Sequence, residues 1–201
     1  LDSVAIKDHL AQFTEKLFTR ANFKGASPNG SGIQLLHIDS WEMGAQNWTP
    51  HFRCEFEKRR GYDPQPYYPV IVGMMVQNRE VSERFLWDLR QTCQELVLEN
   101  HVGYVRRYAQ KYGLKVSIEP YDLNPTADLE LGVAADIPMG EFWCLYEGPF
   151  NFNAAFSVIE ASSAAHIIGQ SVCISEAFTS AFEGYRNYPG SLKNQGDWAF
   201  A

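Results

Sequence analysis

Ile33-Gln34-Leu35-Leu36-His37-Ile38 runs straight into Asp39-Ser40-Trp41-Glu42. A short apolar run that stops abruptly at polar residues is what a buried strand shows when it reaches a polar rim. The same pattern recurs downstream. Leu114 to Ile118 ends in Glu119-Pro120-Tyr121, a run near Ala134 to Met139 ends in Gly140-Glu141-Phe142-Trp143, and Ile167 to Ile174 ends in Ser175-Glu176-Ala177-Phe178.

Helical patterns separate these runs. Ile6, Leu10, Phe13 and Leu17 recur at helical spacing between Val4 and Phe18, and a loop rich in glycine follows from Asn22 to Ser31. A helix is expected from about Pro50 to Arg60 and another from Ser82 to Tyr112, where Phe85, Leu89, Cys93, Leu96 and Val97 form one apolar stripe and Gly113 stands at the C-cap. A further helix is expected from Asn153 to Ala165, while Tyr67 to Gly73 reads equally as strand or packed loop.

Strands that alternate with helices imply βαβ units and a parallel sheet, and polar residues gathered at strand C-termini suit a barrel with its site on that face. The expected class is therefore α/β, a (β/α)8 TIM-barrel-like domain spanning residues 1–201. About four or five strands are visible, and a complete barrel takes about 250 residues. With 201 residues the barrel is expected to be incomplete, a piece of a longer multidomain parent.

Composition removes several classes of function. A formal charge of −7 argues against nucleic acid, whose phosphates are bound by clustered Lys and Arg. The densest basic run, Lys58-Arg59-Arg60, falls at a helix end, where cations complement the dipole and are expected to face solvent. No apolar run approaches the roughly 20 residues of a membrane-spanning helix. The cysteines Cys54, Cys93, Cys144 and Cys173 form no C-x-x-C pair, so a zinc knuckle is not indicated. Cys93 and Cys173 lie in apolar runs and are expected to be buried. Neither G-x-S-x-G, a Walker A loop nor G-x-G-x-x-G occurs, which removes the common signatures of acyl transfer and nucleotide chemistry. Asn47-Trp48-Thr49 matches a glycosylation pattern, but Thr49 is expected to cap the following helix instead.

What remains is carboxylate chemistry. Glu42, Glu119, Glu141 and Glu176 are each expected at the mouth of the same barrel, where side chains from different strands converge. Glycoside cleavage needs one carboxyl protonated for the leaving oxygen and a second ionised for water or the anomeric carbon. Trp41, Trp48, Tyr121, Phe142, Trp143 and Phe178 flank these carboxylates. Aromatic faces stack on sugar rings and desolvate nearby carboxyls. For any single glutamate the alternative is an ion pair, for instance with Arg53, Arg84 or Arg90. A calcium ion could take oxygens from distant loops, with Asp39, Glu141, Asp122, Asn124 and Asp136 as candidates. The histidines, His37 among them, are expected to be structural.

Longer blocks carry a resemblance. Asp39-Ser40-Trp41-Glu42-Met43-Gly44 with Gln46-Asn47-Trp48-Thr49-Pro50, Glu55-Phe56, Arg59-Arg60-Gly61-Tyr62-Asp63 and Ser82-Glu83-Arg84-Phe85-Leu86-Trp87-Asp88 resembles glycoside hydrolase family 106, the α-L-rhamnosidases. Leu98-Glu99-Asn100-His101, Ser117-Ile118-Glu119-Pro120-Tyr121, Gly140-Glu141-Phe142-Trp143 and Ser175-Glu176-Ala177-Phe178 extend it along the chain.

The resemblance implies an inverting, calcium-assisted α-L-rhamnosidase within a multidomain bacterial enzyme that is periplasmic or secreted. Glu42 would be the general acid and Glu176 the general base, and Glu141 would hold calcium or the rhamnose hydroxyls. Asp39, Trp41, Glu119, Tyr121, Glu141 and Trp143 would bind the carbohydrate substrate, with other domains of the parent chain as partners. The rival readings are a retaining glycosidase on a similar barrel and a non-catalytic carbohydrate-binding protein.

Overall fold

The computed structural model describes residues 1–27, 30, 32–41, 44, 47–121, 126–144, 154–180 and 184–201. The chain divides into two compact units. The first comprises Leu1–Gln34, Glu42–Leu114 and Leu123–Ala127, and the second Leu35–Trp41, Lys115–Asp122 and Asp128–Ala201.

The first unit is helical among its described residues. Helix α1 spans Ser3–Arg20, with the Asp2 side chain accepting from the Val4 N–H at its start. Helix α2 spans Phe52–Arg60 and ends at Gly61, whose φ of 81° is a left-handed conformation that glycine adopts without a steric penalty. Its N-cap is His51, with no side-chain cap bond. The helix starts later than Thr49-Pro50 suggests, and Thr49 is not its cap. Gln65–Val72, ambiguous in the sequence, is a 3₁₀ helix.

The long helix expected from Ser82 to Tyr112 is helix α3, Arg79–Val97, followed by one wide π turn over Leu98–Val102 and helix α4, Gly103–Gln110. Gly103 suits that turn, because a Cβ there would lie 2.7 Å from the Leu98 carbonyl oxygen. The unit's core gathers Phe52, Phe56, Val70, Phe85, Leu89, Cys93 and Leu96. The basic run is not a solvated face. Arg59 pairs with Glu55, Glu95 and Glu99, and Arg60 with Glu95, while both guanidinium side chains are largely covered.

The second unit holds the sheet. Strands β1 (Leu35–Ile38), β2 (Lys115–Ile118), β3 (Ile137–Trp143) and β4 (Ile174–Thr179) form a four-stranded sheet in the order β1-β2-β3-β4, and every pairing is parallel. Parallel neighbours taken in sequence order need a crossover each time, and the curled sheet is half of a barrel. Helices α5 (Asp128–Ala134), α6 (Ala154–Ile167) and α7 (Pro189–Phe200) complete the unit.

Two expectations shift here. Ile167 still belongs to α6, and β4 begins only at Ile174, where the expected strand was to end. β3 likewise runs on through Glu141 to Trp143. Cys93 is buried as expected, but Cys173 is exposed, in the stretch before β4, and all four cysteines are free thiols.

Side chains alternate along a strand, and facing residues on parallel neighbours point to the same side. The observed register places His37 beside Ser117, Ser117 beside Ile137, and Glu141 beside Glu176. One face therefore carries His37, Ser117, Met139, Glu141, Trp143 and Glu176. The opposite face carries Ile38, Val116, Ile118, Pro138, Gly140 and Phe142, and α6 packs on it. Gly140 permits that approach, since a Cβ at this position would lie 2.7 Å from the Ser157 carbonyl oxygen.

Candidate active site

The face turned away from α6 concentrates the acidic groups of the second unit. Just beyond β2, Glu119 is 2% exposed although it is a carboxylic acid. Its backbone N–H donates to the Ile38 carbonyl at 3.1 Å, which continues the β1–β2 ladder by one step. Its Oε2 accepts from the Tyr121 hydroxyl at 2.7 Å and from the Ser40 N–H at 3.2 Å. Its Oε1 is enclosed and receives no hydrogen bond. Asp39 lies against the same carboxyl. Two ionised carboxylates side by side repel, which favours a proton on the buried Glu119.

Burial pushes the Glu119 carboxyl up to about 8, opposed by the Tyr121 hydroxyl and reinforced by Asp39. Asp39 moves the other way, held below its ordinary value chiefly by the hydrogen bond with Glu119. Burial raises Tyr121 far above an ordinary phenol, and its hydrogen bond to Glu119 adds to the shift.

Glu141 sits inside β3, 8% exposed. Its backbone N–H donates to Ser157 Oγ on α6 at 2.8 Å, which fixes the strand where the carboxylate leaves it. Burial raises its carboxyl, while the Tyr121 and Thr179 hydroxyls and the Trp143 indole beside it oppose the shift. Glu176, its register neighbour on β4, is exposed and accepts from the Thr179 hydroxyl at 2.8 Å.

The structure thus brings together Asp39, Glu119, Tyr121, Glu141, Trp143 and Glu176 of the expected site. Trp41 is half-buried two residues beyond Asp39. Glu42, the expected acid, lies outside the described residues. Glu141 and Glu176 lie within their strands and not past the ends. Arg53 and Arg84, possible partners for these carboxylates, are engaged elsewhere, Arg53 by Glu57 and Asp63 and Arg84 by Glu80. Phe178 turns to the helix side of the sheet, and Trp48 packs on Phe52 and Tyr68 in the first unit.

Two residues that sequence reasoning passed over belong to the site. His37 contacts Ser117 Oγ through Nδ1 at 2.8 Å and Asp39 through Nε2 at 3.5 Å. Its place on the carboxylate face follows from strand alternation with Asp39, a signal present in the sequence. Thr179 gave no such signal, because an irregularity in β4 changes the alternation there.

Calcium takes six to eight oxygens, and imidazole suits zinc-like ions better. Glu141, Glu176 and the Thr179 hydroxyl supply oxygen donors alone and fit a hard cation in kind. His37, Asp39 and Glu119 offer ligand atoms within 4.8 Å of one another but include an imidazole. Asp136 is not at this end of the sheet. It precedes β3, and its carboxylate accepts the Val116 N–H at 3.0 Å. Asp122 and Asn124 lie outside the described residues.

Comparison with known proteins gives the family and supports the fold. The sequence profile of the α-L-rhamnosidases of glycoside hydrolase family 106 matches residues 1–201. The chain belongs to glycoside hydrolase family 106. A Formosa agariphila protein provisionally named a beta-glucuronidase is 39% identical over 172 residues, which is 86% of this chain and 14% of that protein. The solved rhamnosidase from Novosphingobium sp. PP1Y superposes with a TM-score of 0.78 at 29% identity, over 99% of this chain and 19% of that one. The family 106 chain described here therefore spans less than a fifth of the length of either relative.

Proposed function

We propose that the complete protein is a glycosidase that removes terminal α-L-rhamnose with inversion at the anomeric carbon, with Glu42 as general acid and Glu176 as general base. The observation that carries this reading is the alignment of Glu119, Glu141 and Glu176 on one face of a family 106 half-barrel, in distinct protonation environments. Glu119 is enclosed and holds its proton to about 8, whereas Glu176 is exposed and accepts from a hydroxyl. A base that activates water must be ionised and reachable by water.

Spacing argues against Glu141 as the partner of Glu176 in an inverting pair. An inverting pair stands about 6.5–9.5 Å apart to admit water. Glu141 and Glu176 are register neighbours on strands about 4.8 Å apart and share the Thr179 hydroxyl, which leaves little room for water between them. Glu141 instead suits the binding of a calcium ion or of sugar hydroxyls. Calcium bound there would supply positive charge to orient the hydroxyls of the sugar. Asp39, Glu119, Tyr121, Trp41 and Trp143 would form the wall that receives the ring, with Tyr121 and Trp143 excluding water from Glu141.

The charge pattern also bears on substrate. Recognition of a uronic acid calls for Arg or Lys against its carboxylate, but the described side chains at this end of the face are carboxyls, hydroxyls, aromatic rings and an imidazole. A neutral 6-deoxy sugar meets no repulsion there. The close Glu141–Glu176 pair is the one feature that favours the retaining alternative, which needs about 5–5.5 Å.

The deciding experiment supplies the complete protein with an aryl α-L-rhamnoside and an aryl β-D-glucuronide, with and without chelator, and follows the first-formed anomer by NMR. The expected result is cleavage of the rhamnoside with β-L-rhamnose appearing first, partial loss on chelation, and a loss of about a thousandfold in Glu176→Gln. Preference for the glucuronide, α-L-rhamnose as first product, or binding without turnover would each overturn the proposal.

A further inference from the structure

Strand β4 changes its alternation between Glu176 and Thr179. Ile174 and Glu176 face Met139 and Glu141, so regular pairing would next set Phe178 opposite Trp143. Thr179 stands there instead, with the register shift at Phe142/Trp143. Phe178 is the extra residue, and its φ of 60° is a left-handed conformation that a bulky side chain avoids. Bulges of this kind re-aim a side chain, and strained residues persist where the surroundings hold them.

The surroundings here do so. The Cys144 N–H donates to the Thr179 carbonyl at 2.8 Å, and the Cys144 thiol to the Phe178 carbonyl at 3.1 Å. The Phe178 ring turns to the helix side of the sheet, edge-on to Phe142 with centroids 4.9 Å apart. Gly196 of α7 makes room for it, since a Cβ there would come within 3.1 Å of the ring. The product of the irregularity is that Thr179, not phenylalanine, reaches the carboxylate face. Its hydroxyl donates to Glu176 Oε1 at 2.8 Å and contacts the Glu141 carboxyl.

We propose that Thr179 is a positioning residue of the glycosidase site, whose hydroxyl holds Glu176 in its water-activating orientation, and that the bulge at Phe178 is the device that delivers it. The inference rests on the reading of Glu176 as general base. A hydroxyl has one proton to give. Given to Glu176 Oε1, it fixes the plane of that carboxylate, which leaves the other oxygen for water.

The test compares Thr179→Val, Thr179→Ala and Thr179→Ser in the complete protein, with Glu176→Gln as reference. Loss of a hydrogen bond to a charged group should lower kcat by about ten- to a hundredfold in the valine and alanine variants. In both, kcat should fall more than KM rises, and serine should restore the wild-type kcat. Melting curves identify which of the two hydroxyl-free variants keeps the wild-type fold, and that one decides. A wild-type kcat in a folded variant without the hydroxyl, or failure of serine to restore kcat, overturns the positioning role. Activity retained in Glu176→Gln would instead remove the base assignment itself, so the two failures are distinguishable.

Discussion

Replacing Glu119 with glutamine should stabilise the protein at neutral pH, by an amount that grows as the pH rises. Glu119 is 2% exposed and keeps its proton up to about 8, whereas an ordinary glutamate loses it near 4.5. Between those values folding takes up a proton. The contribution of Glu119 is therefore most favourable below about 4.5 and is progressively lost as the pH rises toward 8. Each unit above the unfolded value costs about 1.4 kcal/mol, so at pH 7 the native state is less stable by about 3 kcal/mol than with a neutral isostere.

Glutamine supplies that isostere. Its carbonyl can accept from the Tyr121 hydroxyl and the Ser40 N–H, and its amide can donate to Asp39 without titrating. For a chain of this size about 3 kcal/mol corresponds to roughly 6–12 °C in Tm. Circular-dichroism melts of the wild type and Glu119→Gln between pH 4 and 8.5 should nearly coincide at the acid end and separate steadily above it. Parallel curves, or a glutamine variant less stable at pH 7, would refute the reasoning, because either would mean that Glu119 is ionised in the folded state.

Gly140→Ala should lower Tm by roughly 3–10 °C, the effect of about 1–3 kcal/mol of overpacking, because its Cβ would meet the Ser157 carbonyl oxygen at 2.7 Å; an unchanged melt would show that α6 yields freely. In the first unit, Phe56 is fully buried and has Tyr62 and Phe85 at ring-centroid distances of 5.1 and 5.9 Å. Phe56→Ala should cost about 3–5 kcal/mol in urea denaturation, and a loss below about 1 kcal/mol would place that ring outside the cooperative core.

Much of the sheet was legible because short, largely apolar runs end at polar residues, as at Leu35–Ile38 before Asp39 and Lys115–Ile118 before Glu119. The position of β4 was not. Ile167 to Ile174 is as apolar as a strand, but its first residue ends α6, and the segment between α6 and β4 is exposed. Hydrophobicity alone cannot distinguish a helix end from a strand start. The burial of Cys173 failed for the same reason. The glutamates were legible as a set, since Glu119, Glu141 and Glu176 all follow apolar runs, but their contrasting environments depend on partners distant in sequence. Arg59 and Arg60 make the same point: a helix-end basic run reads as solvated until α3 supplies Glu95 and the π turn supplies Glu99.

The order of groups across the sheet also sets the surroundings of each carboxyl. Asp39, Glu119, Tyr121, Glu141, Thr179 and Glu176 follow one another, and hydroxyls alternate with carboxyls from Glu119 onward. The Tyr121 hydroxyl donates to Glu119 and the Thr179 hydroxyl to Glu176. Glu141 lies between these two hydroxyls. Burial raises its carboxyl while they oppose the rise, so removing either hydroxyl should push that carboxyl further up.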